Sequence, residues 1–315
     1  MIRYTLQRLL ATIPVVLIVA LIVFSLLFLT PGDPAAVMAG DNATPEQVAA
    51  IRTALGLDQP FLPRLFSWFG AVLSGDLGRS IFTGLPVTEL ISQRLGPTFS
   101  LMVITLVFSV IVAVPLGVIA AYRAGSWVDN TIMAGSVLGF SVPVFVFGYL
   151  LAWLLASKAQ LLPVQGYKPL SEGLWPWLRH LILPMLSVSG VYIALIARIT
   201  RTTMLEVLNQ DYIRTARAKG VSERTVVMRH ALRNMLIPIV TLIATDVGTL
   251  LGGAVITERV FAISGMGSLF VASIERVDVN PVMGYFLVIA ITAIVFNFLA
   301  DLAYAVLDPR VRVVA

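Results

Sequence analysis

The chain has 315 residues, of which 58% are hydrophobic and only 12% charged, with a formal net charge of +5. A soluble domain carries about twice that charged fraction, so the composition excludes an ordinary water-soluble globule and makes the spanning helix the unit of architecture. There is no cysteine, which excludes a disulfide framework, a thiolate metal site and a thiol nucleophile; three of the 22 basic residues are lysines, and their distribution reads as a topology signal rather than a nucleic-acid-binding stripe.

Six apolar stretches are long enough to cross a hydrocarbon core of about 30 Å as helices. The first, Leu9–Leu29, follows Arg3 and Arg8 as a secretory leader would. Its length exceeds the roughly 7–15 residues of a leader's apolar core, and Thr30-Pro31-Gly32-Asp33-Pro34 behind it offers no small-x-small cleavage site. It is expected to stay as a span. The connection Pro31–Pro97 is too long for a passive turn and is expected to be structured. Thr44-Pro45-Glu46-Gln47 predicts a capped helix start with a capping box, the helix ending near Gly56. A second, amphipathic helix is expected over Phe61–Leu73, with Phe61, Leu65, Trp68, Phe69 and Val72 at helical spacing.

The remaining spans are Thr98–Ala121, Thr131–Ala156, Leu181–Ile199, Met235–Ile256 and Met283–Ala305. Pro14, Pro115, Pro143 and Pro238 fall inside or near the ends of spans and predict kinks or packing against neighbours rather than breaks. Six spans put both termini on one side. With the N-terminus inside, the inner segments hold 13 Lys/Arg against five Asp/Glu, and the outer segments nine against ten. The densest basic stretch, Arg198–Arg233, then falls inside, as the positive-inside rule requires.

The inner connection Thr200–Asn234 is the most informative part of the chain. It reads as a helix, a break at Gly220 in the left-handed position, and a second helix capped by Ser222 with Glu223 in its first turn. Arg214, Arg217, Lys219, Arg224, Arg229 and Arg233 decorate the pair, and Ala216 and Ala218 flank the break. On charge alone, two readings stand: a basic loop that fixes topology and touches anionic lipid headgroups, or a compact helix–Gly–helix shaped to dock in a partner's groove.

This segment resembles the EAA-type coupling loop of bacterial ABC importer permeases. With the motif's central glycine on Gly220, its Glu-Ala-Ala falls on Arg214-Thr215-Ala216, so only the second alanine is kept. The run Asp211-Tyr212-Ile213-Arg214-Thr215-Ala216-Arg217-Ala218-Lys219-Gly220, followed by Val221-Ser222 and by Arg229-His230-Ala231-Leu232-Arg233-Asn234, is closer to the variant of peptide-type permeases. LGLDQP at 55–60, SGDLGRS at 74–80, Arg94–Leu101 and DVGTLLGGAVITERVFAISGMG at 246–267 are similar to the first, B-type permease of the dipeptide/oligopeptide (peptide/nickel) importers.

The resemblance implies an all-α polytopic membrane protein of six transmembrane helices in a bacterial inner membrane, both termini cytoplasmic. A structured outer loop follows the first span, and a coupling-helix loop lies between spans four and five. Residues 1–95 form the N-terminal region and 96–315 the five-helix permease domain. It further implies half of a peptide pathway, working with a homologous second permease, two cytoplasmic ATPase subunits that bind ATP and Mg, and an extracytoplasmic solute-binding protein. The sequence agrees in having no GxxxxGK[ST] phosphate loop, so this chain is expected to be a transport subunit rather than an enzyme.

Between the two ends, Asp246 is the one acid well inside a span and must face protein or water; it can attract a peptide's amino terminus or pair with a neighbouring polar group. Asp301 reads as a satisfied interfacial acid. Gly248 and Gly252, with Gly253 beside them, form a GxxxG on the fifth span, and Gly135 and Gly139 another on the third; close helix packing and pathway lining both fit. Glu258 and Arg259 are expected at the outer mouth, in receptor contact, gating or plain solvation. His180 and His230 lack ligand-spaced partners, so no metal is expected. An ion-gradient-driven secondary transporter is the rival reading; a single embedded acid and no visible inverted repeat speak against it.

Overall fold

A computed structural model describes residues 2–29, 33–40, 42–54 and 56–307. The start of the outer connection at Pro31-Gly32, Leu55 of LGLDQP, and the C-terminal stretch 308–315 on which the placement of that terminus rests lie outside the described residues. Among the described residues the chain is helical, with one isolated bridge between Arg79 and Pro86 and no strand.

Helix α1, Ile2–Leu29, runs through Pro14 without interruption. Three short helices occupy the outer connection: α2 (Pro34–Ala39), α3 (Pro45–Ala54) and α4 (Phe61–Leu73). The capping box of α3 forms as expected, with the Gln47 amide 3.4 Å from the Thr44 hydroxyl and the Gln47 side chain accepting from the Thr44 amide at 2.9 Å. Helix α4 lays Phe61 and Trp68 on Phe24 of α1, ring centroids 5.4 and 5.3 Å apart. This face joins Trp68 and Val72 to Val23, Met283 and Leu287, so these aromatics rest against the spans.

Helix α5, Val87–Tyr122, has 36 residues and is about 54 Å long at 1.5 Å per residue. It begins eleven positions before the apolar stretch and passes through Pro97 and Pro115. Its principal neighbour is α8, Leu174–Leu208. Gly117 lets the two backbones meet: a Cβ there would lie 2.5 Å from Thr200 Cβ and 2.7 Å from the Ala197 carbonyl oxygen.

The third expected span departs from expectation. It forms two helices, α6 (Trp127–Ser141) and α7 (Val144–Leu151), the latter continuing as a π-helical turn over Ala152–Lys158. The two are bent by 99° at the break. Pro143 therefore does more than kink the chain: it lacks the amide that would continue α6 and holds Val142 extended, at φ −87° and ψ 123°. Of the glycines at 135 and 139, only Gly139 makes a close approach, its Cβ position 3.1 Å from the Gly190 carbonyl of α8.

The chain then forms a hairpin of α9 (Asp211–Ala218) and α10 (Glu223–Thr225), followed by a π-helical segment, Val226–Ala231. Helix α11 (Leu232–Val260) contains Pro238, the short α12 (Met266–Glu275) lies beside it, and α13 (Val279–Leu307) closes the bundle. Four described helices, α5, α8, α11 and α13, are long and apolar enough to cross a membrane, and the bent α6–α7 pair makes a fifth if counted as one span. The protein is a multi-pass membrane protein built around α5, α8 and α11.

Candidate functional site

The connections gather at two ends of the bundle. At one end the hairpin closes with a Schellman motif: the Gly220 amide donates to the Arg217 carbonyl at 2.9 Å and the Val221 amide to the Ala216 carbonyl at 3.2 Å. Gly220 has φ +75° and its Cβ position meets nothing within 4 Å, so backbone conformation alone selects glycine here. Ser222 occupies the N-cap position, but its hydroxyl pairs with that of Thr225 at 2.9 Å instead of capping a backbone amide. The expected side-chain cap is absent, and the Thr225 amide donates to the Ser222 carbonyl at 2.9 Å instead.

Arg217 clasps Glu223 across the break, Nε to Oε2 at 3.1 Å and Nη2 to Oε1 at 2.6 Å. The guanidinium hydrogen bonds hold the Glu223 carboxyl below the usual glutamate range and raise Arg217 in turn. Tyr212 accepts from the Asn234 amide at 2.7 Å, tying the hairpin to the start of α11. Asp211, Arg214, Thr215, Arg217, Ala218, Lys219, Gly220 and Ser222 all face outward. Ile213, Val226 and Ala231 are fully buried in one cluster with Met204 of α8, Ala121 of α5 and Ile239 of α11, and Ala216 and Val221 pack against it. The hairpin thus has a basic outer surface and an apolar root inside the core of three spans.

Beside it, the start of α6 is secured to α8 by an ion pair the sequence did not announce. Arg201 of α8 grips Asp129 of α6 through Nε and Nη2 at 2.5 and 2.6 Å, and the Asp129 side chain is 2% exposed.

At the opposite end, Glu258 is completely buried, so it does not stand at an open mouth and plain solvation is excluded. Its carboxylate accepts from the Thr98 hydroxyl at 2.5 Å and from the Ser268 amide at 2.9 Å, while the Met266 amide donates to Thr98 at 2.8 Å. These bonds lock α12 onto α5 and α11, and Gly265 and Gly267 supply the room. Arg259 faces outward and pairs with Glu275 at 2.6 Å. The SGDLGRS segment docks nearby: Ser80 Oγ donates to Asp278 at 2.5 Å and the Asn280 amide to the Arg79 carbonyl at 2.7 Å. The 159–173 connection joins the same end through Tyr167–Ser100 and the Gly166 amide on the Phe261 carbonyl.

Between the ends, α11 turns one face away from the core, bearing Thr241, Thr245, Thr249, Gly252, Gly253 and Ile256. A Cβ at Gly248 would make only an ordinary contact with Ala293 of α13, at 3.8 Å, and one at Gly252 or Gly253 would meet nothing within 4 Å; close packing inside this chain requires glycine at none of the three. Asp246 sits half-buried at the edge of that face, with its Oδ2 atom unpartnered among the described residues. The His180 ring is satisfied by the Pro176 carbonyl at 2.7 Å.

The family described as the binding-protein-dependent transport system inner membrane component matches residues 113–313, and its N-terminal counterpart matches residues 1–102. The chain is 48% identical to a probable peptide ABC transporter permease of Sinorhizobium fredii, covering 98% of this chain and 99% of the relative. It is 42% identical to a putative peptide transport system permease of Brucella abortus, covering 98% of each, and 38% identical to a glutathione transport system permease of Salmonella choleraesuis, covering 99% of each. The inward-facing MetNI methionine ABC transporter shares the fold, with a TM-score of 0.55 at 17% identity over 70% of this chain and 96% of that one. With matches along its whole length, an all-helical bundle of the importer type and a rooted hairpin between α8 and α11, the chain belongs to the binding-protein-dependent transport system inner membrane component family and is a permease subunit of an ABC importer.

Proposed function

We propose that this permease forms half of a transmembrane pathway for small peptides and that the Asp211–Ser222 hairpin is its mechanical connection to an ATPase subunit. The observation that carries the proposal is the hairpin's two-sided construction. Its outer surface is basic and exposed, yet Ile213 and Val226 are buried among residues of α5, α8 and α11. A push on the outer surface is delivered to three spans at once, because a close-packed core moves between discrete arrangements rather than deforming.

In this reading two cytoplasmic ATPases, which bind ATP and Mg, close on nucleotide and carry the hairpins with them. The spans then reorient around a pathway shared with a homologous second permease, and an extracytoplasmic binding protein delivers substrate at the Glu258 end. The hairpin end is cytoplasmic and the membrane is the bacterial inner membrane, in keeping with the basic bias of the hairpin segment. Residues 96–315 form the transport domain, and residues 1–95 brace it from outside through α4. Within the pathway, Thr241, Thr245, Thr249, Gly252 and Gly253 form a polar, small-residue face suited to a peptide backbone. Asp246 at its edge offers a carboxylate to an amino terminus. Relatives named as peptide and glutathione permeases support the substrate class.

The test is purification of the assembled transporter with its binding protein, followed by mass spectrometry of the retained ligand and measurement of ATP-dependent uptake of that ligand into proteoliposomes. Retained di- to oligopeptides taken up only with ATP support the proposal. Uptake that persists without ATP and collapses with the ion gradient contradicts it.

A further inference from the structure

The hairpin end also carries a groove that the coupling role does not use. It has a volume of about 600 Å³ and lies between the last turn of α5 and the α10/π segment. Its apolar lining comes from Val118, Ile119, Val227 and Met228, and its polar lining from Tyr122, Arg123, Glu223 and Arg224. We propose that this groove binds an anionic phospholipid, its phosphate held between Arg123 and Arg224 and an acyl chain lying along Ile119 and Met228.

Three observations converge on that occupant. The first is level. α5 ends at Tyr122, and the exposed aromatics Tyr122 and Trp127, 58% and 76% accessible, mark where a span passes from hydrocarbon to headgroups. The second is charge. Glu223, the one acid in the lining, is already engaged by Arg217 through two hydrogen bonds. Neither Arg123 nor Arg224 has an acidic partner among the described residues. Two guanidiniums facing one opening suit a phosphate, which arginine binds in a forked geometry. The third is the exposed apolar surface directly beside these cations, with Ile119 at 44% and Met228 at 58%. A free phosphate would leave that surface uncovered, whereas an acyl chain covers it. Because the groove joins the end of α5 to the root of the hairpin, its occupant would brace the coupling element against the membrane. The proposal requires only that the membrane boundary lie near Tyr122, and it stands whichever energy source drives transport.

The assembled transporter, in nanodiscs containing phosphatidylglycerol and phosphatidylcholine, is released into a native mass spectrometer and its retained lipids are counted. Each basic residue near an anionic surface contributes about a fivefold preference. Retention of phosphatidylglycerol should therefore fall about fivefold in R123Q and about 30-fold in R123Q/R224Q. The single variant keeps the test alive if the double variant fails to assemble. A photoactivatable analogue at Met228 should form lipid adducts, and millimolar glycerol phosphate should not displace the lipid. Equal retention of the two lipids by the wild type, unchanged retention in the variants, displacement by glycerol phosphate, or crosslinks to a partner polypeptide alone would each overturn the proposal.

Discussion

Gly220 offers the sharpest single perturbation. Its φ of +75° lies where an L side chain is strained, yet a Cβ would touch nothing within 4 Å. The penalty of substitution in the chain alone is therefore conformational, about 1–2 kcal/mol for alanine. That corresponds to a roughly 5–30-fold loss of the closed hairpin relative to alternatives. Asparagine tolerates the left-handed region better than alanine despite its larger size, and β-branched valine tolerates it worst. If backbone geometry sets coupling, peptide uptake per ATP hydrolysed in proteoliposomes should fall in the order Gly, Asn, Ala, Val. Membrane insertion should be unaffected, because Ile213 and Val226 stay buried. An order following side-chain volume, with alanine best and asparagine below it, would refute the backbone argument and place the constraint at the partner's surface. Full coupling in Gly220→Val would refute the role of the hairpin itself.

Other outcomes follow from the same geometry. Arg201→Gln should lower thermal stability by about 3 kcal/mol, since it leaves the buried Asp129 carboxylate uncompensated, and Asp129→Asn should cost less, since the Arg201 side chain is 27% exposed; the double substitution should cost clearly less than the sum, as read by a double-mutant cycle in detergent. Gly117→Ala should lower the melting temperature, because overpacking costs about 1–3 kcal/mol and the α5–α8 crossing has no space for a methyl group. Gly252→Leu, at an open position, should leave stability unchanged and slow uptake. The depressed Glu223 pKa means that its pairing with Arg217 contributes stability above the ordinary glutamate value and loses it as pH falls through the depressed one. With both side chains partly exposed, the contribution is below about 1 kcal/mol. The protection factor of the Lys219–Val221 amides, with the pH dependence of intrinsic exchange divided out, should therefore fall on acidification in the wild type and show no such acid limb in Glu223→Gln.

Local signals carried much of this architecture. The Thr44–Gln47 capping box, the α4 helix over Phe61–Leu73 and the left-handed Gly220 all depend on residues within a few positions of one another, and each formed where its pattern placed it. What the sequence hid depends on distant partners. Asp129 and Arg201 stand 72 positions apart, and Thr98 and Glu258 stand 160 apart; nothing near either acid in the chain distinguishes a buried bridge from a solvated charge. The break at Pro143 was hidden for a related reason. A proline inside a span is tolerated when neighbours satisfy the freed backbone groups, as at Pro115 and Pro238. Whether it kinks or breaks the helix depends on the surrounding bundle, and here Gly139 meets Gly190 of α8 while Gly148 meets both Ser187 of α8 and Phe261 at the end of α11, so each half seats on α8 at its own glycine. The unpaired glycines at 252 and 253 show the limit of a GxxxG motif: spacing predicts a smooth face without naming what meets it.

The native chain has no cysteine, so a single introduced thiol reports its neighbour without background. Ala218→Cys, at an exposed position on the hairpin, should crosslink to the ATPase subunit of the assembled transporter through a short maleimide–benzophenone photocrosslinker, which needs no thiol on the partner, in a nucleotide-dependent yield and with loss of uptake. Leu73→Cys, 77% exposed at the opposite end, should give no such adduct. Failure of position 218 to reach an ATPase in an assembly that hydrolyses ATP would contradict the account at its centre.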